Sequence, residues 1–359
     1  MAPPTGAALR DVFGWTLADL ADRDPRILVL DGDVGSSTGV GPFEAAHPDR
    51  FLQMGVTEQN MLGVAAGLAT LGFVPFISAF ACFSVARALD SIRVLIAQPG
   101  LDVKITGGYS GLLTGMTGKT HQIFNDVAIM RSLANVTVLA PADEAETRQA
   151  ITTVAATPGP AYLQITRDPA GSLFGPDYVF ELGKGVLVRE GPDVTLVSTG
   201  TQTIRTLEAA GRLAAHGIEA TVLHLPTIKP LDADALTRAS AATGLVITVE
   251  EHTIIGGLGG AVAEVLSERH PVPLRRLGIR DTYGESGPND KLLDKYRLSA
   301  AAVAADVAAI MAQRPDRRPA RAARLDGHDP RDRGTRSPAS PDGHARLATG
   351  AQTRKTGGL

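Results

Sequence analysis

The sequence predicts an α/β protein built from two doubly wound domains. Three observations carry this. Short β-rich runs alternate with longer helical ones along most of the chain. The strands read as near-continuous apolar runs, as parallel strands covered on both faces do. The alternation breaks once, near the middle, at a stretch rich in Gly, Pro and charge. A chain of 359 residues has room for two domains of about 100–200 residues each.

In the first domain, residues 1–175, "RILVLD" (26–31), "FVPFISAF" (73–80), "DVKIT" (102–106), "NVTVLA" (135–140) and "AYLQIT" (161–166) read as buried strands. Helical segments fall around 58–71, 83–97, 124–132 and 143–155. The run "FGPDYVFELGKGVLVREGPD" (174–193), with 176–192 as the linker proper, is expected to connect the domains and to contain a short strand pair. The second domain, 193–313, continues with strands "VTLVST" (194–199), "EATVLHL" (219–225), "GLVITVE" (244–250) and "LRRLGI" (274–279). Its helices fit around 203–216, 232–243, 258–269 and 299–313. From Arg314 the composition changes. Residues 314–359 hold eleven Lys/Arg against five Asp, a net of 11 − 5 = +6, with no apolar periodicity, and are expected to be a disordered tail. Residues 1–313 then carry −3 − 6 = −9. The tail reads either as an arm for an anionic partner or as an extension without function.

The bulk numbers exclude several classes. A net charge of −3 argues against nucleic acid as the main partner, since phosphate binding needs a basic surface. The single cysteine, Cys82, excludes an internal disulfide framework and thiolate-rich metal sites. No apolar run reaches the roughly 18 residues of a membrane span, and "MAPPTGAALRD" lacks a signal-peptide core. The expectation is a cytoplasmic protein without a membrane partner. No pair of histidines has metal-ligand spacing and no GxSxG elbow occurs, so neither metal hydrolysis nor serine hydrolysis has support, and no metal ligand is assigned.

Open parallel sheets bind ligands beyond the carboxyl ends of their strands. After the first strand comes "DGDVGSSTG" (31–39), readable as a phosphate-facing loop or as a plain turn. "GVTEQNM" (55–61) opens a helix; Thr57 reads as its cap, and Glu58 either complements the helix dipole or is a buried carboxylate held for chemistry. Phe80 and Phe83 sit three apart at a strand-to-helix junction, in a chain with only 10 Phe, 5 Tyr and 1 Trp. They read as core packing or as a wall against a flat heteroaromatic ring. The glycine-rich "GGYSGLLTGMTGKTHQ" (107–122) delivers His121 as an acid/base or hydrogen-bonding group, or as a surface histidine. Arg167, where "AYLQIT" ends, suits an oxyanion clamp or a pair with Asp168.

In order and spacing, "MGVTEQNMLGVAAGLA", "FVPFISAFACF", the "THQ" of 120–122 with "NDVAIMR", "VEEHTIIGGLGG" and "GIRDTYGESG" resemble the C-terminal half of transketolase across residues 1–313. The resemblance implies that the first domain binds the aminopyrimidine of thiamine diphosphate. It makes Glu58 the carboxylate that hydrogen-bonds the pyrimidine N1′, Phe80 and Phe83 the aromatic wall, and Asp33 a cofactor-proximal acid. His121 becomes an active-site histidine contacting substrate oxygens, and Arg10, Ser37 and Arg167 hold a substrate phosphate. Two positions depart from the family. Tyr109 stands where many transketolases place a phosphate-contacting histidine, and Thr117 where many have an aspartate that reads a sugar hydroxyl. Both are expected to line the substrate site and to redirect specificity, because a site built to bond a hydroxyl discriminates strongly. An unusual acceptor in a specialised pathway is one outcome.

"DGD" stands at 31–33, but no GDG followed by Asn occurs at the family interval. The expectation is therefore one half of a split transketolase. Its partner would be a separate N-terminal-half chain bearing GDG…N, which holds the diphosphate and Mg2+ or Ca2+. The assembly would be α2β2, containing a homodimer of this chain and acting on small sugar substrates. The competing enzyme is the β subunit of a thiamine-dependent 2-oxoacid dehydrogenase; a non-catalytic scaffold is the other alternative.

Overall fold

The computed structural model describes residues 6–314; apart from Arg314, the expected tail lies outside the described residues. The first sheet contains β1 (Ile27–Asp31), β2 (Phe51–Gln53), β3 (Val74–Phe80), β4 (Lys104–Gly108), β5 (Thr137–Leu139) and β6 (Ala161–Ile165). The second contains β7 (Val186–Arg189), β8 (Val194–Ser198), β9 (Ala220–His224), β11 (Val246–Thr253) and β12 (Leu274–Ile279), while β10 (Thr227–Lys229) crosses back to the first. The orders are β10-β5-β6-β4-β3-β1-β2 and β12-β11-β8-β9-β7. All pairings are parallel except β10 on β5 and β7 on β9.

The apolar runs are strands because both faces are covered. In β1, Ile27 and Val29 enter a core with Phe13 and Phe76, whereas Leu28 and Leu30 enter another with Leu62 and Ile77. Side chains alternate across a strand, so a sheet with helices on both sides favours apolar residues on both faces; the buried polar ones it keeps, such as Asp31 and Lys104, are hydrogen-bonded. The second sheet repeats this: Ile247 and Val249 face one cluster and Val246 the other.

Several expectations change. The segment 174–193 holds no strand pair; its one strand, β7, adds to the second sheet through an antiparallel edge pairing with β9. The strand expected at 102–106 runs from Lys104 to Gly108, so Gly107 and Gly108 belong to the sheet. Thr57 occupies the N-cap position of the helix Glu58–Thr70, but its hydroxyl donates to Met54 O at 2.8 Å and caps nothing. The helix expected at 83–97 contains two π-helical stretches, Cys82–Arg87 and Ile92–Ala97. Such widened turns rotate the side chains that follow and often accompany functional sites.

The sequence expectation contains no helix before β1, yet one spans Leu9–Ala21, burying Leu9, Val12, Phe13, Leu17 and Ala21 on one face. Its seat depends on Gly14. A Cβ there would lie 1.8 Å from the carbonyl oxygen of Gly39, so the helix rests on the loop after β1 with no room for a side chain. Gly14→Ala is expected to lift the helix from that loop and to lower stability by about 1–3 kcal/mol, the usual range for overpacking. A fall in the thermal midpoint of the full chain checks this; an unchanged midpoint would show that the helix shifts freely.

Candidate active site

In the first sheet the strand order reverses at β1, whose neighbours are β2 and β3. Ligand crevices form outside the carboxyl ends at such a switch point. Ser37 follows β1, Phe80 ends β3, Phe83 lies one turn on, Tyr109 follows β4 and Arg167 follows β6. Arg10 arrives from the first helix, which a bridge between Ala8 and Pro169 pins to the chain leaving β6. Residues far apart in sequence thus meet at one end of one sheet.

There they form a compact cluster. Phe80 stacks on Tyr109 with ring centres 4.2 Å apart and 20° between planes, and on Phe83 at 5.9 Å and 23°. His121 meets both phenylalanines edge-on, at 6.0 Å from Phe80 and 5.4 Å from Phe83. Arg10 Nη1 donates to the Tyr109 hydroxyl at 2.8 Å and to Ser37 O at 3.2 Å. The Arg167 guanidinium lies 5.5 Å from the centre of the Tyr109 ring. Its nearest carboxylate is Asp168, at 4.0 Å. Tyr109 has φ of 58°, a left-handed conformation that costs a bulky residue about 1–3 kcal/mol and persists only where surroundings impose it.

Glu58 is 2% exposed although it opens a helix. Arg87 Nη1 donates to its Oε2 at 2.9 Å, and the same guanidinium lies 5.0 Å from the Phe83 ring centre. No hydrogen bond among the described residues reaches Glu58 Oε1. The helix end therefore presents a buried carboxylate with one oxygen paired and one free, joined through Arg87 to the aromatic wall. On His121, Nδ1 shares a hydrogen bond of 2.9 Å with Thr120 Oγ1, leaving Nε2 without a partner among the described residues.

Two expected site residues are not drawn in. Asp33 is exposed, with φ of 64°, and its backbone N–H donates to Gln53 Oε1 at 3.1 Å. The buried acid of that loop is Asp31, which accepts from Ser78 Oγ at 2.8 Å and from Val34 N, Gly35 N and Gln53 Nε2 at 3.1 Å each. Thr117 is exposed, and its hydroxyl bonds to Thr114. No hydrogen bond or ring contact links either residue to the cluster among the described residues.

The second half of the chain holds the glycine-rich loop in place. Glu251, at the end of β11, accepts from Leu112 N at 2.8 Å and Leu113 N at 3.2 Å through Oε1, while Oε2 pairs with Arg205. Gly111 (φ 81°) is required there, since a Cβ would stand 2.5 Å from Glu251 Oε1. Asn289 Nδ2 bonds to both Leu113 O, at 3.1 Å, and the Asp168 carboxylate; Gln122 Nε2 donates to Glu285 O at 3.2 Å. Neighbouring Glu250 accepts from Leu258 N at 2.7 Å and Gly259 N at 2.9 Å, capping the next helix. Burial pushes its carboxyl above the ordinary value, against those donors.

Sequence reasoning did not reach Arg87, Asp31, Glu251 or Asn289. Arg87 follows Phe83 by four residues, a same-face spacing that flags it. The acid pair of "VEEHT", directly after a buried strand, was the available signal for Glu251. Glu251→Ala is expected to leave the Leu112 and Leu113 amides unpaired and to free the loop. Deuterium uptake over residues 107–122 should rise at least about tenfold, equivalent to about 1.4 kcal/mol of lost local stability. Uptake unchanged from wild type would remove Glu251 from this role.

The family description "Transketolase, pyrimidine binding domain" matches residues 5–171, and "Transketolase, C-terminal domain" matches residues 183–303. The chain is 42% identical over 292 residues to the 6-deoxy-6-sulfo-D-fructose transketolase subunit SqwH of Clostridium sp. (strain MSTE9), covering 81% of this chain and 91% of that protein. It is 35% identical over 292 residues to an apulose-4-phosphate transketolase subunit of Phocaeicola vulgatus, covering 81% and 93%. A solved structure described as "Split gene transketolase, inactive beta4 tetramer" superposes with a TM-score of 0.80 at 44% identity, covering 86% of this chain and 99% of that one. With both sheets, the cluster at the first sheet's switch point and nearly the full length of these relatives accounted for, the chain belongs to the transketolase family, as its C-terminal half.

Proposed function

We propose that this chain is the β subunit of a two-component, thiamine-diphosphate-dependent transketolase that moves a two-carbon ketol unit from a ketose donor to an aldehyde acceptor. The observation that carries this is Glu58: buried, at a helix start, with Oε1 free and an aromatic wall beside it. Those groups fit an aminopyrimidine, which needs a carboxylate for a ring nitrogen and a flat apolar surface for its face. When bound, thiamine diphosphate supplies the electron sink for the two-carbon fragment. Glu58 Oε1 holds a proton with the pyrimidine nitrogen and orients the ring. Phe80 and Phe83 fix the plane of that ring and exclude water. His121 Nε2 donates to or accepts from substrate oxygens, while Arg10 and Arg167, around Tyr109, receive the anionic end of the sugar. For Asp33 and Thr117, outside the cluster, a contact with cofactor or sugar is proposed on the family resemblance alone.

A partner chain with the GDG…N motif supplies the diphosphate and the Mg2+ or Ca2+ site, in an α2β2 assembly whose central contact is a homodimer of this chain. Relatives named as transketolase subunits, and the β4 tetramer described as inactive, support this reading. The names of two relatives carry a sulfonated and a phosphorylated sugar, which supports an anionic ketose as the substrate here. No helix among the described residues is long and apolar enough to cross a membrane, and a cytoplasmic location is part of the proposal.

The purified chain alone is expected to show no ketol transfer, and co-expression with a GDG…N chain is expected to restore it; turnover without any partner would sink the split arrangement. In the reconstituted complex, Glu58→Gln should cut kcat at least about a hundredfold, the scale of a lost general acid/base, with the thermal midpoint retained. Unaltered turnover would instead favour a scaffold role. Assay on xylulose 5-phosphate with ribose 5-phosphate tests the specificity reading of Tyr109 and Thr117: the reaction should be slow, and a fast, specific one contradicts it.

A further inference from the structure

Glu58 and Arg87 form an ion pair whose two members differ sharply in exposure: the carboxylate side chain is 2% exposed, the guanidinium side chain 50%. Arg87 Nη1 donates to Oε2 at 2.9 Å, and Oε1 receives no donor among the described residues. Arg87 is held from two further directions. Its guanidinium carbon lies 5.0 Å from the centre of the Phe83 ring, and Gln59 Nε2, on the helix that Glu58 opens, donates to the Arg87 carbonyl oxygen at 3.3 Å. Arg87 closes the π-helical stretch that begins at Cys82. The Cys82 thiol, near enough to feel both charges, is pushed up to about 12 by burial and stays neutral. Asp90 and Arg93, further along the same segment, pair with each other at 2.6 Å. Among the described residues, then, the full counter-charge at Glu58 comes from Arg87.

We propose that Arg87 is the positioning residue for Glu58: by holding Oε2 it keeps the buried group a carboxylate and leaves Oε1, an acceptor only, for the ring nitrogen of the cofactor. The ring nitrogen rests on the thiamine reading, whereas the pair itself belongs to this chain. A carboxyl group in an apolar site without a counter-charge keeps its proton, because burial penalises the charged form. A guanidinium in contact favours the charged form instead, and by engaging one oxygen it also fixes the rotamer. An acceptor-only oxygen bonds a ring nitrogen only when that nitrogen carries a proton. One proton therefore enters from solvent as the ring binds, and it lies on the nitrogen side of the bond with Glu58 as its counter-ion. The pair is made entirely of this chain's own atoms, so the acceptor is charged and oriented before any ligand arrives.

Infrared difference spectra of the full chain at neutral pH test the charge without cofactor or partner. Wild type minus Glu58→Gln should show a carboxylate stretch and no protonated carboxyl band. Arg87→Gln minus the double variant should show the protonated band, and Arg87→Lys should bring the carboxylate back. Arg87→Met, which keeps an apolar contact for Phe83, is the second neutral variant should Arg87→Gln fold poorly. In the complex with a GDG…N chain, titration with thiamine diphosphate in buffers of different ionisation enthalpy counts protons. Wild type should take up about one more proton per site than Glu58→Gln, and Arg87→Gln less than about half a proton more. In that complex Arg87→Gln should lower kcat about tenfold, a smaller loss than removing the acid/base group itself. KM for the sugars should not change, and the variant should add nothing to Glu58→Gln. A carboxylate stretch unaltered by Arg87→Gln, or proton uptake and kcat equal to wild type in that variant, would overturn the assignment. If the infrared result holds but the complex neither binds thiamine diphosphate nor transfers a ketol unit, the thiamine reading fails and the positioning of Glu58 by Arg87 stands.

Discussion

The carboxylate of Glu251 is the constraint on which the site depends. It is 8% exposed, it comes from the second sheet, and it accepts the amides of Leu112 and Leu113 from a loop of the first while pairing with Arg205. A buried charge that lost these donors would be strongly destabilising, so the two sheets are held in the one arrangement that supplies them. A glycine-rich loop has little packing of its own and high conformational entropy to lose. Anchored by Glu251, and again by Asn289 and Gln122, it delivers His121 edge-on to two phenylalanines. The second domain thereby acts on the site without contributing a side chain to the aromatic cluster.

A second buried link has the same character. Glu146, on the helix Glu144–Ala156, accepts from Ala142 N at 2.7 Å and from Tyr178 Oη at 2.5 Å, and shares a hydrogen bond with His224 Nε2 of β9 at 2.8 Å. Both Glu146 and His224 are fully buried. Polar pairs of this kind specify one docking geometry, because any shift leaves a desolvated group unpaired. The strand β10, pairing with β5 across the sequence midpoint, adds backbone hydrogen bonds to the same end. The halves are two sheets in connectivity and one body in their polar contacts.

Much of the fold was legible because burial on both faces leaves a plain signature. The apolar runs of β1, β3 and β6 have few alternatives in water, and their rhythm with helical segments implies a parallel sheet. Short edge strands were not legible. β2, β7 and β10 have three or four residues, half-buried or mixed in polarity, and exist because a neighbour offers its backbone. The Thr57 cap failed for a similar reason: Ser/Thr hydroxyls have several backbone partners within reach, and the carbonyl of Met54 was closer to hand. For the site, Glu58, Phe80, Phe83, His121, Tyr109, Arg10, Ser37 and Arg167 were all named from the sequence, and the fold joins them in one network. Asp33 and Thr117 stayed outside it, since loop residues are placed by local hydrogen bonds that motif spacing does not encode.

By itself, then, the sequence determined the α/β alternation and the strand ends from which the clustered side chains leave. Periodicity and composition are local properties, readable along the chain. What only the tertiary structure decided is which of those groups meet. Arg10 joins Tyr109 and Arg167 because Gly14 lets a helix sit on the loop after β1 and because Ala8 bridges Pro169. Glu58 keeps one oxygen free because a widened helical stretch brings Arg87 to the other. These are contacts between distant segments, fixed by close packing and by the cost of burying an unpaired charge, and neither quantity is written in any short stretch of sequence.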